Sequence, residues 1–164
     1  MDISETYACK PEPGDRVFET LPGFHYSDAF RIRIAAADGR TLEQLMAARG
    51  TGHLEKMLAR LRDRLTAPFG LKPIGKAGMA PFETVERHEG EVIFGVGDRH
   101  ADVRIAYALS GAAGTERTLR ATTAVRLNNA FGRVYLMVIL PFHFLIVRRQ
   151  LKRIALVACI GQNE

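Results

Sequence analysis

The sequence of 164 residues contains no tryptophan, only two cysteines, and no GxGxxG turn following a candidate strand. Cys9 and Cys159 stand near opposite ends, outside any CxxC or Cys/His grouping. Neither a disulfide framework nor a zinc site is therefore indicated, and reduced thiols fit a cytosolic setting. Without the glycine fingerprint there is no dinucleotide-binding turn. Ser4, Ser27 and Ser110 have no nucleophile motif around them, and neither cysteine has a histidine nearby in sequence, so nucleophilic catalysis has no support. Motifs for nucleic acid, with stacking aromatics between the cations, are also missing, and no nucleic-acid partner is expected. MDISETYACKPEPGDR carries acids and prolines where a signal peptide has a basic and then an apolar region, so no export signal is expected. No cofactor and no metal is implied.

What is present suits one globular domain, with 47% hydrophobic and 25% charged residues. A chain of this length buries roughly 70% of the surface its unfolded form exposes, enough for a core without staples. The net charge of +5 is local. Residues 117 to 163 hold Arg117, Arg120, Arg126, Arg133, Arg148, Arg149, Lys152 and Arg153 and no carboxylate. Such a segment suits an anionic membrane surface or an acidic partner, or is ordinary solubilising surface. Within it, VYLMVILPFHFLIV at Val134 to Val147 is the most apolar run. As a helix it would extend about 21 Å, short of the roughly 30 Å of a bilayer core, and it contains Pro141 and His143. A buried core helix is expected rather than a transmembrane span, with peripheral membrane contact as the alternative.

Along the chain, residues 1 to 16 read as a flexible arm broken by Pro11, Pro13 and Gly14, and residues 17 to 160 as a single domain. Phe30, Ile32 and Ile34 alternate with Arg31 and Arg33 in a half-buried strand over 28–36. Thr41-x-x-Gln44 approximates a capping box for a short helix, and Leu54, Met57, Leu58, Leu61 and Leu65 give a second helix by their spacing. Four strands follow at 82–87, 91–96, 101–109 and 118–127 with short turns between them, which is an antiparallel meander with one wet face. Asn128 or Asn129 caps a last helix from about Ala130 to Ala158, kinked or interrupted at Pro141.

This order, a strand, two helices, a meander and a long C-terminal helix, is that of the α+β helix-grip or START-like fold. LPGFHYSDAF at Leu21 to Phe30, GVGDRHADVR at Gly95 to Arg104 and NNAFGRVYLMVILPFHFLIVRR at Asn128 to Arg149 resemble the bacterial domain of unknown function 2867 family. The resemblance covers Leu21 to Ile154. It implies a curved sheet with the last helix laid across it, often over a cavity, and no established activity.

Two constellations are candidates for chemistry. Asp98, His100, Asp102 and Arg104 recur at every second position around a strand start, which suits either a surface charge ladder or a polar binding or acid/base cluster. Alternate strand residues stand about 6.5 to 7 Å apart, so only two neighbours could share an ion; His88, the nearest further ligand in sequence, falls at the other end of a strand. His143, between Phe142 and Phe144, is either a satisfied core histidine or a polar anchor facing a cavity. Tyr135 lies two helical turns before it, and Tyr107 projects from the apolar strand face. His25 and Tyr26 either close a cavity mouth or lead into the first strand.

The expected function is binding of a small apolar or amphipathic molecule between the C-terminal helix and the sheet, by Tyr107, Tyr135, His143, His100, Asp102 and Arg104. The alternatives are a cyclase- or hydratase-like enzyme using a cavity His/Asp, argued from fold analogy alone, and a peripheral membrane or partner-docking domain.

Overall fold

The computed structural model describes residues 6–47 and 82–160, together with residues 56, 57, 60, 63 and 64. The second helix expected over 54–65 falls largely outside the described residues, although the five within it are helical, and residues 70–81, whose three glycines and two prolines read as a connection without periodicity, lie outside them as well. The elements are β1 (Tyr7–Cys9), α1 (Arg16–Glu19), β2 (Tyr26–Ile34), α2 (Leu42–Ala47), β3 (Glu83–His88), β4 (Glu91–Gly97), β5 (Ala101–Ser110), β6 (Arg117–Leu127) and α3 (Ala130–Ile160). The six strands form one antiparallel sheet in the order β1-β2-β6-β5-β4-β3. This is an α+β architecture with an open sheet and a long C-terminal helix, compatible with a helix-grip arrangement.

The meander forms as its alternation requires. Gly90 takes a left-handed φ of 72° in the turn from β3 to β4, a conformation that favours glycine. β6 then pairs with β2, so the first long strand and the last are neighbours and the meander's opposite edge is β3. All six residues of β3 are exposed, and Glu83, Glu86, Arg87 and His88 supply the charge that discourages edge pairing.

Register assigns the two faces. On one, Asp28, Thr123, Ile105 and Phe94 form a row across β2, β6, β5 and β4, and Phe30, Ala121, Tyr107 and Val92 form the next. Ile32, Ile34 and Leu119 continue this face, and Leu45 of α2 with Val147, Leu151 and Ile154 of α3 close over it. Leu151 and Ile154 are fully buried, each contributing about 1.5–3 kcal/mol by removal from water. On the opposite face, Val17 and Leu21 pack on Ile93, Ala106 and Ala124, where the two alanines allow close approach. Phe18 stacks on Phe24 at 4.4 Å beside them.

The segment expected as a flexible arm contributes β1, which pairs with β2 through Tyr7, Ala8 and Cys9. Its return is anchored by the buried Asp15, which forms an ion pair with Arg120 and accepts a 3.0 Å hydrogen bond from the Glu12 amide. Glu12 adds a second contact to Arg120 at 2.6 Å. Periodicity could not reveal this anchoring, because one buried carboxylate and backbone pairing hold the segment in place of an apolar stripe.

Thr41 and Gln44 do form the capping box, with Gln44 Oε1 accepting from the Thr41 amide at 2.8 Å and Thr41 Oγ1 from the Gln44 amide at 3.4 Å. At the start of α3 the cap is Asn129, whose Oδ1 accepts from the Gly132 amide at 3.0 Å. α3 runs as one helix through Pro141 without interruption.

The expectation of a buried core helix needs correction. Gly132, Val147, Gln150, Leu151 and Ile154 are buried on the inner side, but Val134, Met137, Val138, Phe142 and Leu145 are exposed on the outer one. Only 11% of the most apolar stretch of Ala130–Leu156 is buried, and by length and composition this helix could cross a membrane. The apolar run itself spans about 21 Å, but the helix that contains it has 31 residues, from Ala130 to Ile160.

A polar clasp joins the loop after β2 to α3. Asp38 accepts from Arg40 Nε at 2.9 Å and Nη2 at 2.8 Å, Arg40 Nη2 also donates to the Ile154 carbonyl at 2.9 Å, and Arg117 donates to the Asp38 carbonyl. The Arg40 guanidinium holds the Asp38 carboxyl below the usual carboxylate range, against the opposing effect of burial. A depressed folded-state value means that this stabilisation is complete above about pH 4 and is lost as pH falls through the folded value. Asp38→Asn should therefore cost about 1–3 kcal/mol at pH 7. In urea unfolding, the gap between variant and wild type should narrow on acidification.

Candidate functional site

The most concentrated polar chemistry on the helix side lies where α3 crosses β2 and β6. Strand alternation puts Tyr26 and Asp28 on the same side as Phe30, and the register sets Thr123 directly beside Asp28. His143 reaches down from α3. Its Nε2 stands 3.0 Å from Asp28 Oδ2, 3.3 Å from Oδ1 and 3.4 Å from Thr123 Oγ1. The Tyr26 hydroxyl donates to Asp28 Oδ2 at 2.6 Å. A carboxylate only accepts, so Nε2 carries a hydrogen, and in the neutral ring Nδ1 is then the acceptor. Burial, reinforced by the bond to Asp28, pushes the Tyr26 phenol well above its usual pKa, so it remains a donor. The His143 and Asp28 side chains are 20% and 12% exposed. The group thus offers an imidazole oriented by a carboxylate that the Tyr26 phenol holds in place, at the edge of an apolar layer.

The residues singled out from sequence do not form one cluster. Tyr107 is 1% exposed and donates to Gln150 Oε1 at 3.2 Å, and Phe94 meets its ring edge-on at 6.2 Å, so it is part of the filled core. Tyr135 is half-buried on α3. Asp102 and Arg104 alternate with Val103 and Ile105 and so belong to the opposite sheet face from Tyr107 and His143. Asp102 accepts from Arg126 Nη2 at 2.9 Å and from Asn128 Nδ2 at 3.2 Å, which ties β5 to the chain leaving β6. Arg104 donates to the Val103 carbonyl at 3.0 Å and keeps a buried Nε with no partner among the described residues.

His100 sits at the opening of α3, where its Nδ1 meets the Asn129 side chain at 2.9 Å and its ring lies 4.6 Å from that of Phe131. Its carbonyl accepts from the Asn128 amide at 2.9 Å and lies so close to Gly132 that an added Cβ would collide with it. His88 contacts Arg16 and Glu86 at the far hairpin. His25 accepts from the Leu127 amide at 3.1 Å, joining the start of β2 to the end of β6. Among the described residues no group of three or more His, Cys, Asp or Glu side chains could hold a metal ion.

A pocket of about 780 Å³ opens on the same sheet face as His143. Leu42 and Met46 of α2 and Val92 and Phe94 of β4 give it an apolar side, and Glu43, Arg87 and the His88–Glu91 turn a polar one. Arg87 bonds Glu43 at 2.6 Å and links α2 to β3 at its margin. Burial raises the Glu91 carboxyl above the usual range, with Arg16 opposing. The described lining residues come from α2 and the β3–β4 hairpin, with none from α3. Phe94 shares the cross-strand row of Asp28, three strand spacings or about 14 Å away.

A match to the family described as protein of unknown function, DUF2867, extends over residues 20–150. The chain belongs to the DUF2867 family. No curated protein and no solved structure matches the chain. The match spans all three sequence motifs, of which the first contains Tyr26 and Asp28 and the third carries His143.

Asp28 is the functional candidate that sequence reasoning missed. A signal existed, because Asp28 has the same parity as Phe30, Ile32 and Ile34 and so had to face inward, where a carboxylate needs a partner. Asp28→Asn should cost about 1–2 kcal/mol of stability. It should also lower the Tyr26 titration toward about 10 while burial retains part of the shift. Ring-labelled tyrosine NMR across alkaline pH checks this; an unmoved Tyr26 would mean that burial alone sets its acidity.

Proposed function

We propose that this domain binds a small amphipathic molecule on the helix side of its sheet. The apolar part occupies the pocket beside Val92, Phe94, Leu42 and Met46, and the polar end reaches toward Asp28 and His143. The observation that carries this reading is the shared row: an apolar-sided space of about 780 Å³ and an oriented histidine–carboxylate pair lie on one face, about 14 Å apart, with Ile105 between them. His143 Nδ1 would meet a hydroxyl or ammonium donor on the ligand. Of the residues singled out from sequence this reading uses His143, whereas Tyr107 is buried against Gln150 and Asp102 belongs to the opposite sheet face.

Acid/base catalysis of cyclase or hydratase type is a second reading, favoured by one feature. The Asp28 carboxylate, held by the Tyr26 hydroxyl, orients His143 as it would a general base. His143→Gln would then abolish turnover of a bound compound while leaving its binding largely intact.

Native mass spectrometry and binding of the apolar dye anilinonaphthalene sulfonate test the first reading. The wild-type chain should take up the dye, and Met46→Trp, which fills the pocket, should weaken uptake about tenfold or more, as expected when roughly 1.5–3 kcal/mol of apolar contact is lost. A chain that takes up no apolar probe, or whose uptake is indifferent to Met46→Trp, would contradict it.

A further inference from the structure

The outer side of α3 packs against no other element among the described residues. Val134, Met137, Val138, Phe142 and Leu145 follow one another at helical spacing along about 16 Å of it, with Met137 66% and Val138 58% exposed. None of these side chains has a hydrogen-bonding group. The same line continues through Arg149 and Lys152, both exposed, while Arg133 stands at the other end. An apolar stripe of this extent needs an occupant.

We infer that this stripe docks the domain, lying flat, on an anionic lipid surface. Charge selects that occupant. From residue 117 to residue 163 the sequence has no carboxylate, so a second copy packed on this face would bring Arg133 against Arg149 and Lys152 in an antiparallel pairing, or like against like in a parallel one, with no counter-charge on either helix. Phosphate and carboxylate headgroups supply that charge while the acyl boundary accepts the apolar side chains. The inner side of α3 decides the orientation. Val147, Leu151 and Ile154 are locked into the core, Gln150 bonds Tyr107, and His143 pairs with Asp28, so the helix presents its outer side without leaving the sheet. A spanning orientation would strip all of these contacts.

The test is flotation of the purified full chain with vesicles of phosphatidylcholine, with or without a third of phosphatidylserine. Binding to the anionic vesicles alone, released by high salt, is the expected result. Arg149→Gln with Lys152→Gln should weaken it about tenfold or more, at roughly one order of magnitude for two headgroup contacts. Met137→Gln with Val138→Gln should weaken it comparably, while an unchanged thermal transition shows that the fold is intact. Three results would overturn the inference. These are no anionic binding by the wild type, retention in alkaline carbonate with protease protection of α3, or a wild-type dimer in sedimentation velocity that Met137→Gln with Val138→Gln converts to monomer.

Discussion

Pairing of β2 with β6 governs the helix side of this domain, because it brings a strand from the beginning of the chain against one that leads directly into α3. The register sets Asp28 beside Thr123 and Phe30 beside Ala121. Small and β-branched partners on β6 leave room for the helix that follows, and the row containing Asp28 meets α3 at His143. A carboxylate facing inward is costly without partners, and here it has an imidazole and a phenol, while the neighbouring Thr123 hydroxyl contacts the imidazole. Were the register to slip by one residue, Asp28 would point to the opposite face and Phe30 would leave the core.

From this pairing follows the divided character of α3. The helix leaves β6 at Leu127, is capped by Asn129 and passes Gly132 against the His100 carbonyl, so its starting direction is fixed at close quarters. Its C-terminal half is then held by core packing and by the Asp38–Arg40–Arg117 clasp. Between these anchors only one side of the helix meets the sheet. The opposite side retains apolar character that packing does not use, with cations at both ends. The polar pair inside and the apolar stripe outside are therefore two consequences of one placement.

Much of this was legible in the sequence. Each strand of the meander lies within one residue of its expected bounds, because β4 to β6 alternate cleanly and their turns carry glycine or short polar runs. Thr41 and Gln44 advertised their capping box. The site was less legible, for two physical reasons. Asp98, His100, Asp102 and Arg104 looked like a constellation because they alternate, yet alternation also sent Asp102 and Arg104 away from His143. Asp28 looked like a strand boundary, and its partner lies more than a hundred residues away on another element. The exposure of α3 was hidden as well, since apolar residues at positions facing the sheet and at positions facing out are indistinguishable when the whole run is apolar.

The account depends most on α3 showing two unlike sides while staying bound to the sheet. Nitroxide labels placed singly at cysteines from position 134 to position 151, with accessibility to oxygen and to a polar relaxation agent read by electron paramagnetic resonance, measure this directly. In solution, accessibility should oscillate with a period of about 3.6 residues, high at 134, 137, 138 and 145 and low at 143, 147, 150 and 151. On anionic vesicles the high positions should become exposed to oxygen and shielded from the polar agent, with the low ones unchanged. Uniform protection along the helix in solution, or equal lipid exposure on both sides with vesicles, would contradict it.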